Sequence, residues 1–194
     1  FDTLTKEDLW QYQYPDDKDI NINSIRGIYL SNYVRWDPKT QHEEMIEKYG
    51  YLSSKFKRTF DCYDHVDCFN YMNLHDQIKL FKHGYSKVTD HATRELRFGR
   101  ISRDSGLKLI KKFELEEPEY LDLFCNWIGI SERSLKFIIN QHRNAKYWKK
   151  IDSTQWEFNG VSKYINPKGK EAGPNKINFK SNSSLEYDQN QRYV

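Results

Sequence analysis

Beyond residue 70 the apolar residues of this chain recur in short windows of helical spacing, and most of the windows are closed by a glycine. Leu74, Ile78 and Phe81 repeat at helical steps between Asn73 and His83, with Gly84 as the stop, and the next window runs from Ser86 to Phe98 and ends at Gly99. Ser102 caps a window that carries Leu107 and Ile110 toward Phe113. Pro118 opens one with Leu121, Phe124, Cys125 and Ile128 inward and Gly129 at its end, and Ser131 caps one with Leu135, Ile138 and Ile139 inward. A series of short amphipathic helices follows. Trp148, Ile151, Trp156 and Phe158 are expected to close the packing as a short strand or turn.

Upstream the pattern is less regular. Thr5 with Glu7 and Asp8 predicts an N-capped helix to about Gln13, stopped before Pro15, and PDDKDININS reads as a linker. The β-branched and aromatic stretch RGIYLSNYVRW predicts a buried strand near residues 27–35. Asp37-Pro38 then starts a helix with Met45, Ile46 and Tyr49 on one side and Gly50 as its stop, and residues 55–71 show no clear period. Past Asn159 the composition turns to Asn, Lys, Ser and Gly, so residues 159–194 are expected to form a polar extended tail behind a folded part spanning 1–158. The fold class is mainly α with one or two strands.

Composition narrows the function classes. The 31 basic and 28 acidic residues are mixed along the chain for a net charge of +3, with no basic run to track a nucleic-acid backbone, so no nucleic-acid partner is expected. No apolar run approaches the roughly 20 residues that span a bilayer, and no signal-peptide pattern opens the chain. Cys62, Cys68 and Cys125 form an odd, sparse set that fits free thiols in a reducing compartment, hence a cytoplasmic location.

Candidate chemistry concentrates between Phe60 and Arg100. Cys62, His65 and Cys68 are spaced C-x2-H-x2-C, a zinc-like ligand set in an unfamiliar spacing; buried, unpaired thiols are the preferred reading, and no metal site is expected. A Cys/His nucleophile pair lacks any sign of a lowered thiol pKa. The phosphate-cradling and nucleophile-elbow glycine patterns are missing from the sequence. Trp36 and Asp37 lie just past the carboxyl end of the expected strand, where α/β sheets bind ligands, although Asp37 could equally cap a helix and Trp36 pack. On the helix SKVTDHATRELRFG, residues Lys87, Asp90, His91, Arg94 and Arg97 fall within an arc of roughly 120°, with Val88, Ala92 and Leu96 on the other side. That charged face is either a solvated surface or a site for an anionic ligand, with Lys87 and Arg94 holding the anion and Asp90 orienting Arg94 or accepting a hydroxyl of the ligand.

Across GIYLSNYVRWDP, RTFDCYDHVDCFNY and HGYSKVTDHATRELRFGRISRDSG, taken in order between Gly27 and Trp156, the chain resembles the carboxy-terminal part of the N-acetyl sugar amidotransferases. That group includes pseudaminic acid and lipopolysaccharide enzymes. The resemblance implies the carboxy-terminal portion of an α/β enzyme of the PP-loop ATP-pyrophosphatase superfamily. It also implies a sugar substrate, ATP and Mg²⁺, and ammonia from a possible glutaminase subunit. In such enzymes ATP adenylates the oxygen of a sugar acetamido group, and ammonia displaces AMP to leave an acetamidino group. The family's S-G-G-x-D-S loop does not occur in this sequence, so Phe1 is expected not to be the natural start and the nucleotide loop to lie upstream. The chain's own share would be the last strand of the sheet and a helical region that completes the sugar pocket. Two other classes stay open, a non-catalytic helical module that docks a glutaminase or synthase partner and a small metalloenzyme.

Overall fold

The computed structural model describes residues 4–53, 55–63 and 69–165. The chain divides into two units, Phe1–Asp37 and Pro38–Val194. In the first, α1 (Lys6–Leu9) continues into a 3-10 turn at Trp10–Tyr12, followed by α2 (Asp17–Ile22) and a second 3-10 turn at Leu30–Asn32. Thr5 caps α1 in a reciprocal arrangement with Asp8, whose Oδ2 accepts from the Thr5 amide at 2.8 Å.

Two expectations for this unit are corrected. The stretch taken as a linker holds α2, whose Asp17 and Asp19 favour the positive end of a helix. The strand expected near 27–35 does not form. Leu30 O instead accepts from the amides of Tyr33 and Val34 at 2.9 Å each, and Ile28, Leu30 and Val34 are more than half exposed. A strand needs a neighbour to pair its backbone and cover a face, and the described residues supply neither here.

The second unit is helical. It contains α3 (Pro38–Tyr49), α4 (Phe69–His83), α5 (Lys87–Arg97), α6 (Arg103–Phe113), α7 (Leu121–Ile128) and α8 (Glu132–Asn140), then β1 (Trp148–Lys150), β2 (Trp156–Phe158) and a 3-10 turn at Val161–Tyr164. β1 and β2 pair antiparallel with Trp148 opposite Phe158. The protein is therefore mainly α with one two-stranded sheet, as the sequence pattern predicts.

Two apolar clusters organise this unit. Leu74, Leu80 and Phe81 of α4 meet Leu121 and Cys125 of α7, Leu135 and Ile139 of α8, and Trp148 of β1. Val88 and Ala92 of α5 meet Ile101 and Ile110, and Val161 packs against them, so residues just past 159 belong to the packed unit. Ile128, expected inward, and Ile151, expected in the closing packing, are exposed, and so are Met45, Tyr49 and Ile138; α3, α7 and α8 each bury only part of their apolar stripe. α7 also starts later than Pro118, with Tyr120 at φ +61° before it.

The last turn of α4 is held by a distant segment. Leu80 O accepts from Trp148 Nε1 at 3.3 Å, Phe81 O from the Asn144 amide at 3.0 Å, and Lys82 O from Asn144 Nδ2 at 3.2 Å. These donors satisfy carbonyls that a helix end leaves open. Gly84 follows at φ +74°, and a Cβ there would lie 2.5 Å from Cγ of Tyr147.

Gly84→Ala is expected to cost about 1 to 2 kcal/mol from the left-handed conformation and more from the Tyr147 ring. Gly99, at φ +68° with open space around it, sets the comparison. In urea unfolding, Gly99→Ala should show the backbone cost alone, and Gly84→Ala a clearly larger loss.

Candidate functional site

Residues 58–61 are neither helix nor strand and lie beside α4, α5 and the segment after α6, with Arg58, Thr59 and Asp61 buried. Arg58 is 2% exposed; its Nε donates to Asp76 Oδ2 at 2.8 Å, and its two terminal nitrogens donate to the carbonyls of Glu114, at 3.1 Å, and Glu116. The other oxygen of Asp76 accepts the Lys87 amide and so caps α5. Ser86, the residue before α5, donates its amide to Thr89 Oγ1 at 3.5 Å, while its buried hydroxyl has no hydrogen-bond partner among the described residues. A carboxylate is the stronger acceptor at the positive end of a helix, which is why Asp76 takes that role.

The charged face expected on α5 is rearranged by this network. Arg94 binds Asp61 and, at 2.8 Å through Nε, Glu95; Arg100 reaches the second Glu95 oxygen at 3.0 Å. Glu95 is fully buried, and His91, 5% exposed, shares a 2.6 Å hydrogen bond with Thr59. The buried face of α5 is thus Val88, His91, Ala92 and Glu95, while Leu96 is 40% exposed. Helical spacing alone placed Leu96 inside and His91 outside, because it could not count the arginine and threonine partners that make a polar residue acceptable in the core. Asp90 pairs with Lys79 of α4 rather than orienting Arg94, and the Lys87 ammonium lies 3.7 Å from Met72 Sδ. Trp36, 54% exposed, and Asp37 end the first unit.

Cys62 is buried and its thiol is pushed up to about 11, first by burial and then by the Asp61 charge. It stays a thiol at neutral pH, which removes it as a nucleophile. His65 and Cys68 of the C-x2-H-x2-C stretch lie outside the described residues.

On the other side of Arg58 a cleft of about 200 Å³ opens between α4, the segment after α6, and the β1–β2 hairpin. Arg143 lies along it, with its guanidinium carbon 3.5 Å from the ring centre of Phe81, 3.9 Å from that of Trp148 and 5.3 Å from that of Trp156. Its Nε donates to Asn140 Oδ1 at 2.8 Å, and its Nη1 has no hydrogen-bond partner among the described residues. Burial pulls this guanidinium down to about 10, opposed by the charge of Glu117, so it remains a cation at neutral pH. Glu114 also lines the cleft. It is 2% exposed, its Oε2 has no partner among the described residues, and burial raises its carboxyl to about 7 against the pull of Arg58.

An aromatic wall with two arginines, Arg58 and Arg143, and two acids, Glu114 and Glu117, suits a small amphipathic ligand better than a polyanion, since the carboxyls offset the cations. Sequence reasoning missed Arg143 and Glu114. Trp148, Trp156 and Phe158 stood out only as packing residues, and no local pattern marks an arginine that will lie against rings far away in the chain. The sequence has no glycine-rich phosphate loop, and no group of three or more His, Cys, Asp or Glu among the described residues could hold a metal.

Residues 43–162, more than half of the chain, match the family described as LPS biosynthesis protein WbpG-like, C-terminal domain. No curated protein matches the chain in sequence.

Two outcomes follow from the buried charges. Arg94→Ala leaves Asp61 without its guanidinium and Glu95 with one of its two, and should destabilise the protein by about 3 kcal/mol or more, whereas Asp90→Ala at the exposed Lys79 pair should cost less than about 1 kcal/mol. Chemical denaturation of the two variants measures this contrast. For Glu114 the folded pKa of about 7 lies above the ordinary 4.5, so the folded state holds the extra proton and wild-type stability falls as pH rises from 4.5 through 7. Glu114→Gln removes that loss. Its unfolding free energy should exceed that of the wild type above pH 7, by about 3 kcal/mol at most, and the advantage should shrink toward pH 4.5.

Proposed function

Because the chain belongs to the LPS biosynthesis protein WbpG-like C-terminal domain family, and so has a role in lipopolysaccharide biosynthesis, we propose that it forms part of an ATP-dependent N-acetyl sugar amidotransferase. The reaction converts a sugar acetamido group to acetamidino, in surface glycans of the lipopolysaccharide or pseudaminic acid kind, in the cytoplasm. The family match over residues 43–162 is the observation that carries this reading. The PP-loop assignment rests on the sequence resemblance. On this reading the chain's share is a helical region that completes the sugar pocket.

Arg94, Asp90, His91 and Lys87 support that share indirectly on this reading: Arg94 and His91 fix the segment 58–61 against α5, and Asp90 ties α5 to α4. Trp36 and Asp37 remain candidates for contact with the sugar or nucleotide.

A second reading is favoured by the outer faces of α7 and α8, where Trp127 and Phe137 are 70% and 68% exposed. Apolar exposure of this kind suits a module that docks a glutaminase or another synthase subunit. No described helix is long and apolar enough to cross a membrane, so the exposed residues do not form a helical span.

The natural gene product, supplied with ATP, Mg²⁺, an acetamido sugar and isotopically labelled ammonia, should yield a sugar whose acetamido oxygen has been replaced by labelled nitrogen, read by mass spectrometry. Binding of a glutaminase without any label in the sugar would instead select the docking module.

A further inference from the structure

We propose that residues 4–36 form a self-pairing arm. Two copies of the chain associate through this stretch in antiparallel fashion, so that the acidic first half of one meets the basic second half of the other. The inference is independent of the amidotransferase reading.

Three observations carry it. The stretch has no core of its own: within residues 4–36 Ile20 alone is half-buried and every other residue is exposed. Trp10, Tyr12, Tyr14, Tyr29 and Tyr33 are between 70% and 84% exposed. At about 200 Å² of side chain each, those five rings leave roughly 800 Å² uncovered. A standard interface takes about 800 Å² from each partner, and monomers rarely leave that much apolar surface in water. Next, folded units shorter than about 40 residues usually need a disulfide, a metal or association. The unit Phe1–Asp37 contains no Cys and no His, and no group of acids among the described residues could hold a metal, which leaves association. Finally, the charge is polarised along the stretch. Between 4 and 19, Glu7, Asp8, Asp16, Asp17 and Asp19 outnumber Lys6 and Lys18, whereas between 20 and 36 the charged residues are Arg26 and Arg35. Parallel pairing would set like charges side by side. A two-fold antiparallel pair sets each half against its opposite, and does so twice, which is why the fitting partner is a second copy. Tyr and Trp suit the middle of such a contact, since each buries a ring while its polar atom reaches a partner at the edge.

The test takes the full 194-residue chain through sedimentation equilibrium over a concentration series. The expected species has twice the 23.4 kDa of one chain and is half-formed at on the order of 10 μM. Two variants probe the pairing through exposed charges. One reverses the first half with Glu7→Lys and Asp16→Lys, Asp16 making no side-chain cap bond to α2. The other reverses the second half with Arg26→Glu and Arg35→Glu. Each variant alone sets like charges against each other and should pair about tenfold more weakly or worse. An equimolar mixture should regain the wild-type strength, because every half then meets its opposite, and that recovery also shows that both variants are folded. The proposal is overturned if the wild type stays monomeric up to on the order of 1 mM, if its mass keeps rising past two copies, or if the mixture pairs no better than either variant alone. A wild-type monomer that binds another part of the natural gene product overturns it as well, and assigns the apolar surface to that partner.

Discussion

A guanidinium removed from water must find acceptors for its donors, and Arg58 meets that constraint by joining three parts of the second unit. Its partners are a carboxylate on α4 and two carbonyls just past α6, more than 50 residues further along the chain. Stripping solvent from such an ion costs several kcal/mol, which only well-placed acceptors offset. Asp76 is held by this contact in the position from which it caps α5. The entry of α5, the path of residues 58–61 and the inner edge of the aromatic cleft all depend on one side chain.

A second set of buried charges changes what α5 is. On a helical wheel it has a charged outer face ready for an anion; in the fold, Arg94 is engaged by Asp61 and Glu95, and Arg100 also serves Glu95. An arginine held between two buried carboxylates fixes packing and has little left to offer a phosphate. Arg143 is in the opposite position, with its face on aromatic rings and one nitrogen unpartnered among the described residues. The difference between those two arginines moves the centre of the candidate chemistry from α5 to the cleft.

The helical class and most helix ends were legible in the sequence, because Ser102, Ser131, Gly50, Gly84, Gly99 and Gly129 punctuate local structure by local rules. The hairpin was legible as an aromatic cluster, though not its pairing. What the sequence hid was long-range. Ile28 to Val34 have strand composition and no strand partner, so composition was misleading there. His91 and Glu95 look like surface residues until Thr59 is brought beside the first and Arg94 and Arg100 are turned onto the second. Glu114 sits past the end of a lysine-rich helix, and nothing near it in sequence announces a buried acid.

The fastening of the last turn of α4 bears on the thermodynamics of occupancy. Phe81 stands in that turn, and the carbonyls around it are bonded to Asn144 and Trp148 from the far wall of the cleft. The two walls are therefore coupled through backbone hydrogen bonds rather than through side chains alone. A guest entering between them meets surfaces whose ordering entropy was already spent when the chain folded, so little adaptive motion should accompany its arrival.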